Sequence, residues 1–426
     1  MSHQDIDAAK LPNLLQLVDI LKRKSCEIIA KRDVNGHIDS NMEESWHSIN
    51  MEYYNHADED KFIVVQTQKR RHTLKPNLRN CGFIYRGQRK EYPHILSSFA
   101  RDEYDSQGNP LVLKQFRPKH LRSNLLSEDF IALLLTNPLS MMFDRGIILE
   151  PEKRPFFINM NYYGLAQHYG FKTGVVDFTT DINVAAFFAS TISVGYDKYR
   201  PLTDENIKAN PVGVIYVHPI IPDLTFKPIF PFTTIGLQIY PRSGAQKGIL
   251  FNEGTVPIEE CVLPFRFRQE VGISKFIFER MHEGSDLFPK DSICMYAKEI
   301  LEGNDVSGLT FAQNMYSNQD NLDENLSDLK QENIHVNWRK RMYFTHNMLH
   351  DFDQDLKNGM WEQFCNQIYF GDSQVGKKMH ESLLNLPKNP AYQVYFNINE
   401  YSRLTYYWHS MDVRAKRNEV NKMSIS

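Results

Sequence analysis

Apolar residues recur along the chain with two periods, and each period marks a different kind of element. Near the start, "LPNLLQLVDILKRK" brings Leu11, Leu14, Leu15, Val18 and Leu21 towards one helical face. Its basic end, Lys22 to Lys24, suits the negative pole of a helix. A β-like run follows at Phe62 to Thr67. The apolar Phe83 to Tyr85, bounded by Gly82 and Gly87, predicts a short strand. "RDEYDSQGNP" is turn chemistry. "SEDFIALLL" predicts a helix start, with Ser127 as N-cap and Glu128 and Asp129 in the first turn.

The densest pattern is "NYYGLAQHYGFKTGVVDFTTDINVAAFFAS". It predicts a helix over Tyr162 to Tyr169, closed by Gly170 at positive φ. Val175 and Val176 then form a short buried strand. Thr179 or Thr180 is placed to cap a second helix, with Asp181 in its first turn. Ile182, Ala185, Ala186 and Ala189 give that helix a small, close-packing face. Downstream, "VGVIYVH" predicts a buried strand over Val212 to His218. "LQIYPR" and "GILFN" predict two strands about a turn at Ser243 and Gly244. "VLPFRFR" predicts an edge strand, because Pro264 lacks the ladder donor. "KFIFERMHEGSDLFP" predicts a short helix ending near Gly284. After a polar stretch from about residue 301, helical periodicity resumes in "NMLHDFDQDLKNGMWEQFCNQIYF". The resulting expectation is an α+β fold, a small mixed β-sheet flanked by helices, with helical N- and C-terminal extensions.

Composition changes this picture little. Hydrophobic residues make up 42% of the 426 and charged residues 24%, so a packed core is expected. The net charge of −3 gives no strong nucleic-acid signal, and Lys69, Arg70, Arg71 and His72 read as a solvated loop. Five cysteines without CxxC spacing predict reduced thiols rather than disulfides or zinc. The N-terminus carries acids and no apolar h-region, and "FIALLLTNPLSMMF" is too short and polar to cross a bilayer. A soluble, cytoplasmic protein without membrane partners is therefore expected. No metal is predicted: His346 and His350 share a helical face but lack the Glu of an HExxH motif. His168 reads as an ordinary packed histidine. "PRSGAQKG" lacks the Lys-Ser/Thr end of a P-loop.

Three polar constellations fall at predicted strand ends: Arg86 with Gln88, Asp177 with Thr179 and Thr180, and Arg242 with Gln246. Such ends are positioned by the backbone yet reached by solvent. Arg86 offers a planar fork to a phosphate or carboxylate, and Gly87 removes a Cβ that would block close approach. Threonines at a helix N-terminus would gather hydroxyls and free N–H groups on an anion. Asp177 is suited to orient Arg86 or to hydrogen-bond a ribose hydroxyl. A purely architectural Arg–Asp pair explains the same spacing, and the residues alone leave both readings open.

These segments resemble the FRG domain family. "YRGQ" at Tyr85 to Gln88 followed by "LSSFAR", then "GLAQHYGFKTGVVDFTTDINVAAFFA", "RSGAQKGILF" and "ISKFIFERMHEGSDLFP", follow that family's motifs in order over about residues 80 to 295. Gly174 stands where the family usually has Arg, and Phe178 where it has Trp. Together with the periodicity of the flanks, which the resemblance does not cover, this predicts an N-terminal helical segment at 1–79, an FRG domain at 80–300 and a mainly helical region at 301–426. The family's layout is similar to a distant ADP-ribosyltransferase pattern. By that analogy NAD is the substrate: Arg86 grips its pyrophosphate, Thr179 orders a ribose, and Gln246 or Glu253 polarises the ribose 2′-hydroxyl. Gln246 cannot act as a base. Two functions are expected on this footing, an NAD-cleaving or ADP-ribosyl-transferring enzyme with a protein acceptor, or a non-catalytic module holding a small nucleotide or phosphate ligand.

Overall fold

The computed structural model describes residues 7–34, 61–66, 71–77, 81–105, 108–150, 154–220, 232–252, 257–318, 321–340 and 342–397. Glu253 lies outside the described residues. In chain order, the elements that build and support the site are α1 (Leu14–Val34), β1 (Phe62–Gln66), β2 (His72–Pro76), β3 (Phe83–Gln88), α2 (Leu113–Leu135), α3 (Tyr162–His168), β4 (Val175–Thr179), α4 (Ile182–Ser190), β5 (Val212–Pro219), β6 (Phe232–Thr234), α5 (Pro241–Gln246), β7 (Gly248–Asn252), β8 (Leu263–Arg268), α6 (Val271–Arg280), α7 (Ser292–Glu302) and β9 (Ile368–Tyr369). Between α7 and residue 397 the chain is mainly helical.

The fold is α+β. Its main sheet has six strands in the order β6-β7-β4-β3-β5-β8, and every neighbouring pair is antiparallel. Mixed pairing occurs instead in the three-stranded sheet β9-β1-β2, where β9 runs parallel and β2 antiparallel to β1. Antiparallel sheets need not be sandwiched by crossover helices, and here the two faces differ. On one face α1, α4 and α6 press Leu17, Leu21, Ala185, Ala189 and Ile277 onto Tyr85, Ile215 and Val217. On the other, loops bring Ile95, Ile220 and Val262 over Ile84, Val176, Phe178 and Val214. As expected for an edge strand carrying Pro264, β8 ends the sheet.

A second core lies among the helices. It joins Leu125, Phe130 and Leu133 of α2 and Tyr169 to Ile293 and Ala297 of α7, and on to Phe352, Phe364 and Leu383 near the C-terminal end. Ser127 sits in the middle of α2 and not at its start, with a buried hydroxyl that has no partner. The apolar face continues upstream through Leu121 and Leu125, so the helix propagates past the expected cap. "PRSGAQ" forms the short helix α5 where a strand end and turn were expected. Pro241 supplies a φ suited to N1, and Lys247 closes the helix in the left-handed region at φ 45°.

One join in the main sheet is incomplete. β3 and β4 share a single pair, Tyr85 with Thr179. β3 pairs β5 over six positions and β4 pairs β7 over five, so the sheet is two three-stranded ladders meeting at one bridge.

Candidate functional site

The β3–β4 seam opens beyond that bridge, and a cleft of about 710 Å³ lies there. Along β3 the side chains alternate. Tyr85 is 4% exposed and packs under the helices. Gly87 faces the same way, and a Cβ there would sit 1.8 Å from the carbonyl oxygen of Ala185 on α4. The close approach that this glycine permits is therefore helix against strand. Arg86 and Gln88 lie in the cleft wall. The Arg86 Nη1 donates to the backbone oxygen of Asp177 at 2.7 Å, across the opened seam. With its amide turned as hydrogen bonding favours, Gln88 accepts from Arg86 Nε and Nη2 at 3.3 Å each. Asp177 thus orients Arg86 through its main chain, and Gln88 braces the same guanidinium.

The Asp177 carboxylate turns to α3. Its Oδ2 accepts from Gln167 Nε2 at 2.6 Å, and Gln167 in turn accepts from the Thr173 hydroxyl. Its Oδ1 is buried without a partner. Beside it in the cleft is His168, 7% exposed, with neither ring nitrogen in hydrogen-bond geometry. Burial lowers the His168 pKa, while the Asp177 charge pulls more weakly the other way. The backbone carbonyl of His168 accepts from Arg242 Nη1 at 3.3 Å.

The junction after β4 differs from the expectation. Asp181, rather than Thr179 or Thr180, caps α4, and its Oδ1 accepts from Asn183 N at 2.9 Å. The Thr179 hydroxyl donates to the Gln246 oxygen at 2.7 Å and accepts from Asp181 N at 3.0 Å. Thr180 is 8% exposed and its N–H donates to the Lys247 oxygen at 3.3 Å. A carboxylate already occupies the positive pole of α4, so that pole offers no anion site. Thr179 still lines the cleft.

Gln246 reaches the cleft from α5, but its Nε2 donates to the Leu287 oxygen at 3.0 Å. Arg242 does not reach it. Its side chain is 1% exposed and pairs with Asp197, Nη1 to Oδ1 at 2.9 Å. The ring of Tyr169 lies 4.5 Å from its guanidinium carbon and that of Tyr196 5.5 Å away. Burial among aromatic rings with one carboxylate makes Arg242 a structural cation.

The cleft's rim was missed from sequence. Arg89, Lys90, Tyr92, His94, Arg101 and Tyr104 come from the single loop after β3. Stacking of Phe99 on His120, with centroids 3.7 Å apart, holds that loop, as do the Lys172–Asp102 pair at 2.6 Å and the Glu259 oxygen on Ile95 N at 2.7 Å. The interleaving of bases and aromatics in "RKEYPH", directly after YRGQ, was the available signal. Phe178 is 3% exposed and packs edge-on against Phe232. Gly174 donates its N–H to the Tyr163 hydroxyl at 2.7 Å. His346 and His350 are exposed on their helix, and among the described residues no three metal-type ligands converge. Nor is any described helix long and apolar enough to cross a membrane.

Comparison with curated proteins and with solved structures gives no match. Residues 82–194 match the family model of the FRG domain. The matched span contains β3, the rim loop, α3, β4 and α4. Tyr199 and Gln246 complete the cleft from outside it. Over that span the chain is similar to the FRG domain.

Proposed function

We propose that the cleft binds a phosphorylated nucleotide, with NAD and ADP-ribose as the first ligands to test. The observation that carries this reading is the convergence of Arg86, Gln88, Asp177, Thr179 and Gln246 on one concavity of about 710 Å³. That volume falls in the range of small-molecule sites. Four cations line the cleft, Arg86, Arg89, Lys90 and Arg101, against the acids Asp105 and Asp177. Tyr92 and Tyr104 on the rim provide π-faces for a base. Lys90 already lies 4.7 Å from the Tyr92 ring centroid. Calorimetric titration with NAD, ADP-ribose, ADP and inorganic phosphate tests the reading, with Arg86→Ala as control. Binding of the nucleotides, lost in the variant, is expected. Absence of binding by every one of these ligands overturns it.

A second reading, NAD cleavage, is favoured by the carboxylate of Asp177 in the cleft. The bond from ribose C1′ to the nicotinamide nitrogen would break, and its electron pair would leave with nicotinamide. The developing positive charge at C1′ would be stabilised by Asp177 until an oxygen of water or of an acceptor adds there and loses its proton. Release of nicotinamide from NAD by the full chain is the readout. Nucleotide binding without release assigns the cleft to a binding module and ends the enzymatic reading.

A further inference from the structure

The cations of the cleft and its unmatched polar atoms differ in exposure. Among its cations, Arg101 is exposed and Arg86, Arg89 and Lys90 are half-buried. His168, Thr179 and Gln246 are buried in its floor at 7%, 5% and 9% exposure. Thr179 and Gln246 have protein partners there. Asp177 Oδ1 and both nitrogens of His168 have none in hydrogen-bond geometry, the Gln246 side chain lying near enough only for a weak pull on the imidazole. Buried polar atoms without partners keep their desolvation cost uncompensated, so three in one floor point to a missing partner.

The chemistry of these atoms restricts what would satisfy them. A carboxylate oxygen accepts and never donates when ionised. Asp177 is fixed by Gln167 on its other oxygen, so its orientation is set in advance. His168 is kept neutral by burial, which leaves one N–H donor and one acceptor nitrogen. Gly248 walls Nε2, since a Cβ there would lie 2.6 Å from it. That leaves Nδ1 for a ligand. A phosphate in this floor would meet a carboxylate and be repelled. A hydroxyl fits both groups, donating to Asp177 and accepting from the imidazole.

We propose that His168 and Asp177 form a sugar-hydroxyl subsite, so that the ligand enters with a ribose towards the floor and its phosphate at the cationic rim. The proposal rests on the nucleotide-binding reading and adds an orientation and a selectivity to it. The cleft then discriminates ribose from deoxyribose, because a site built to hydrogen-bond a hydroxyl disfavours the analogue that lacks it.

The minimal probes are ribose 5-phosphate, 2-deoxyribose 5-phosphate and inorganic phosphate, each competing against ADP-ribose on the full chain. Ribose 5-phosphate is expected to compete at least about tenfold better than the deoxy sugar, which corresponds to about 1.4 kcal/mol. Asp177→Asn and His168→Gln should each weaken ADP-ribose about tenfold and leave inorganic phosphate unchanged. Equal competition by the two sugars overturns the subsite, whether or not the variants fold. So does a loss in Asp177→Asn that is the same for phosphate as for ADP-ribose. If Arg86→Ala abolishes binding while these selectivities are absent, the subsite falls and the nucleotide reading stands. If nothing phosphorylated binds, both fall.

Discussion

Two arginines, Arg86 and Arg242, begin from the same sequence signature and end in opposite settings. Each stands in a predicted strand end beside a glutamine two or four residues on. Arg86 is half-buried on a cleft wall, fixed by a backbone carbonyl and an amide. Arg242 is sealed at 1% exposure against Asp197 and the ring of Tyr169. The difference lies in what surrounds the guanidinium. A carboxylate and aromatic rings from distant segments seal Arg242, whereas Arg86 lies in the wall of a cleft at an opening in the sheet. A guanidinium sealed against a carboxylate and rings is architecture, and one set in a cleft wall is placed where a ligand can reach it.

The largest effect should separate the two directly. Arg242→Met leaves Asp197 without its buried cation and should cost about 3–5 kcal/mol. Urea denaturation measures it, and a cost below about 1 kcal/mol would place Arg242 among the dispensable cations. Gly87→Ala comes next. A Cβ at 1.8 Å from the Ala185 oxygen must drive α4 off β3, for a loss of at least about 2 kcal/mol. Wild-type stability in that variant would mean that the glycine serves a ligand and not the helix.

Arg86→Gln should invert the pattern. We expect stability within about 1 kcal/mol of wild type, and nucleotide affinity reduced about 10- to 100-fold, the scale of a lost charge-assisted hydrogen bond. Destabilisation as large as that of Arg242→Met would erase the contrast.

The smallest effect concerns His168, whose carbonyl faces Arg242 while its ring faces the cleft. Its folded pKa lies below the ordinary value near 6.5, through burial first, with Asp177 and Gln246 opposing and Arg242 reinforcing the shift. The unfolded chain therefore takes up the proton first on acidification. Stability from this group is full above about pH 6.5 and is lost as pH falls below it. His72, pushed down to about 4, adds a similar loss over the same window. Denaturation between pH 7 and 4.5 should show a shallower decline in His168→Gln than in wild type, with the His72 contribution remaining in both. Identical slopes would remove His168 from the buried neutral groups.

Much of the frame around the seam was legible because local signals agreed. The Gly170 cap at φ 88°, the small face of α4 and the edge position of β8 each follow from one residue type at one place. Threonine and aspartate both cap helices, and the choice of Asp181 over Thr179 depended on Gln246 being close enough to take the Thr179 hydroxyl. α5 was unreadable for a related reason, since "PRSGAQ" is too short to show a period. For the site, the sequence pointed to Arg86, Gln88, Asp177, Thr179 and Gln246, which the fold gathers, to Thr180 and Arg242, which do not line the cleft, and to Glu253, outside the described residues. His168 reads as a packed histidine and is buried as such, while its unmatched nitrogens could not be read from the sequence.

The lone bridge between Tyr85 and Thr179 has a mechanical consequence. Two stiff three-stranded plates are riveted at one point, and the rivet alone would resist shear poorly. α4 lies across both plates, with Ala185 against Gly87 on one side and its Asp181 cap following directly from β4 on the other. That helix is the splint. Strain applied along β3 should pass to β4 through α4 and be felt at its cap, so the width of the opening between the plates is governed from a helix with its buried face turned away from solvent.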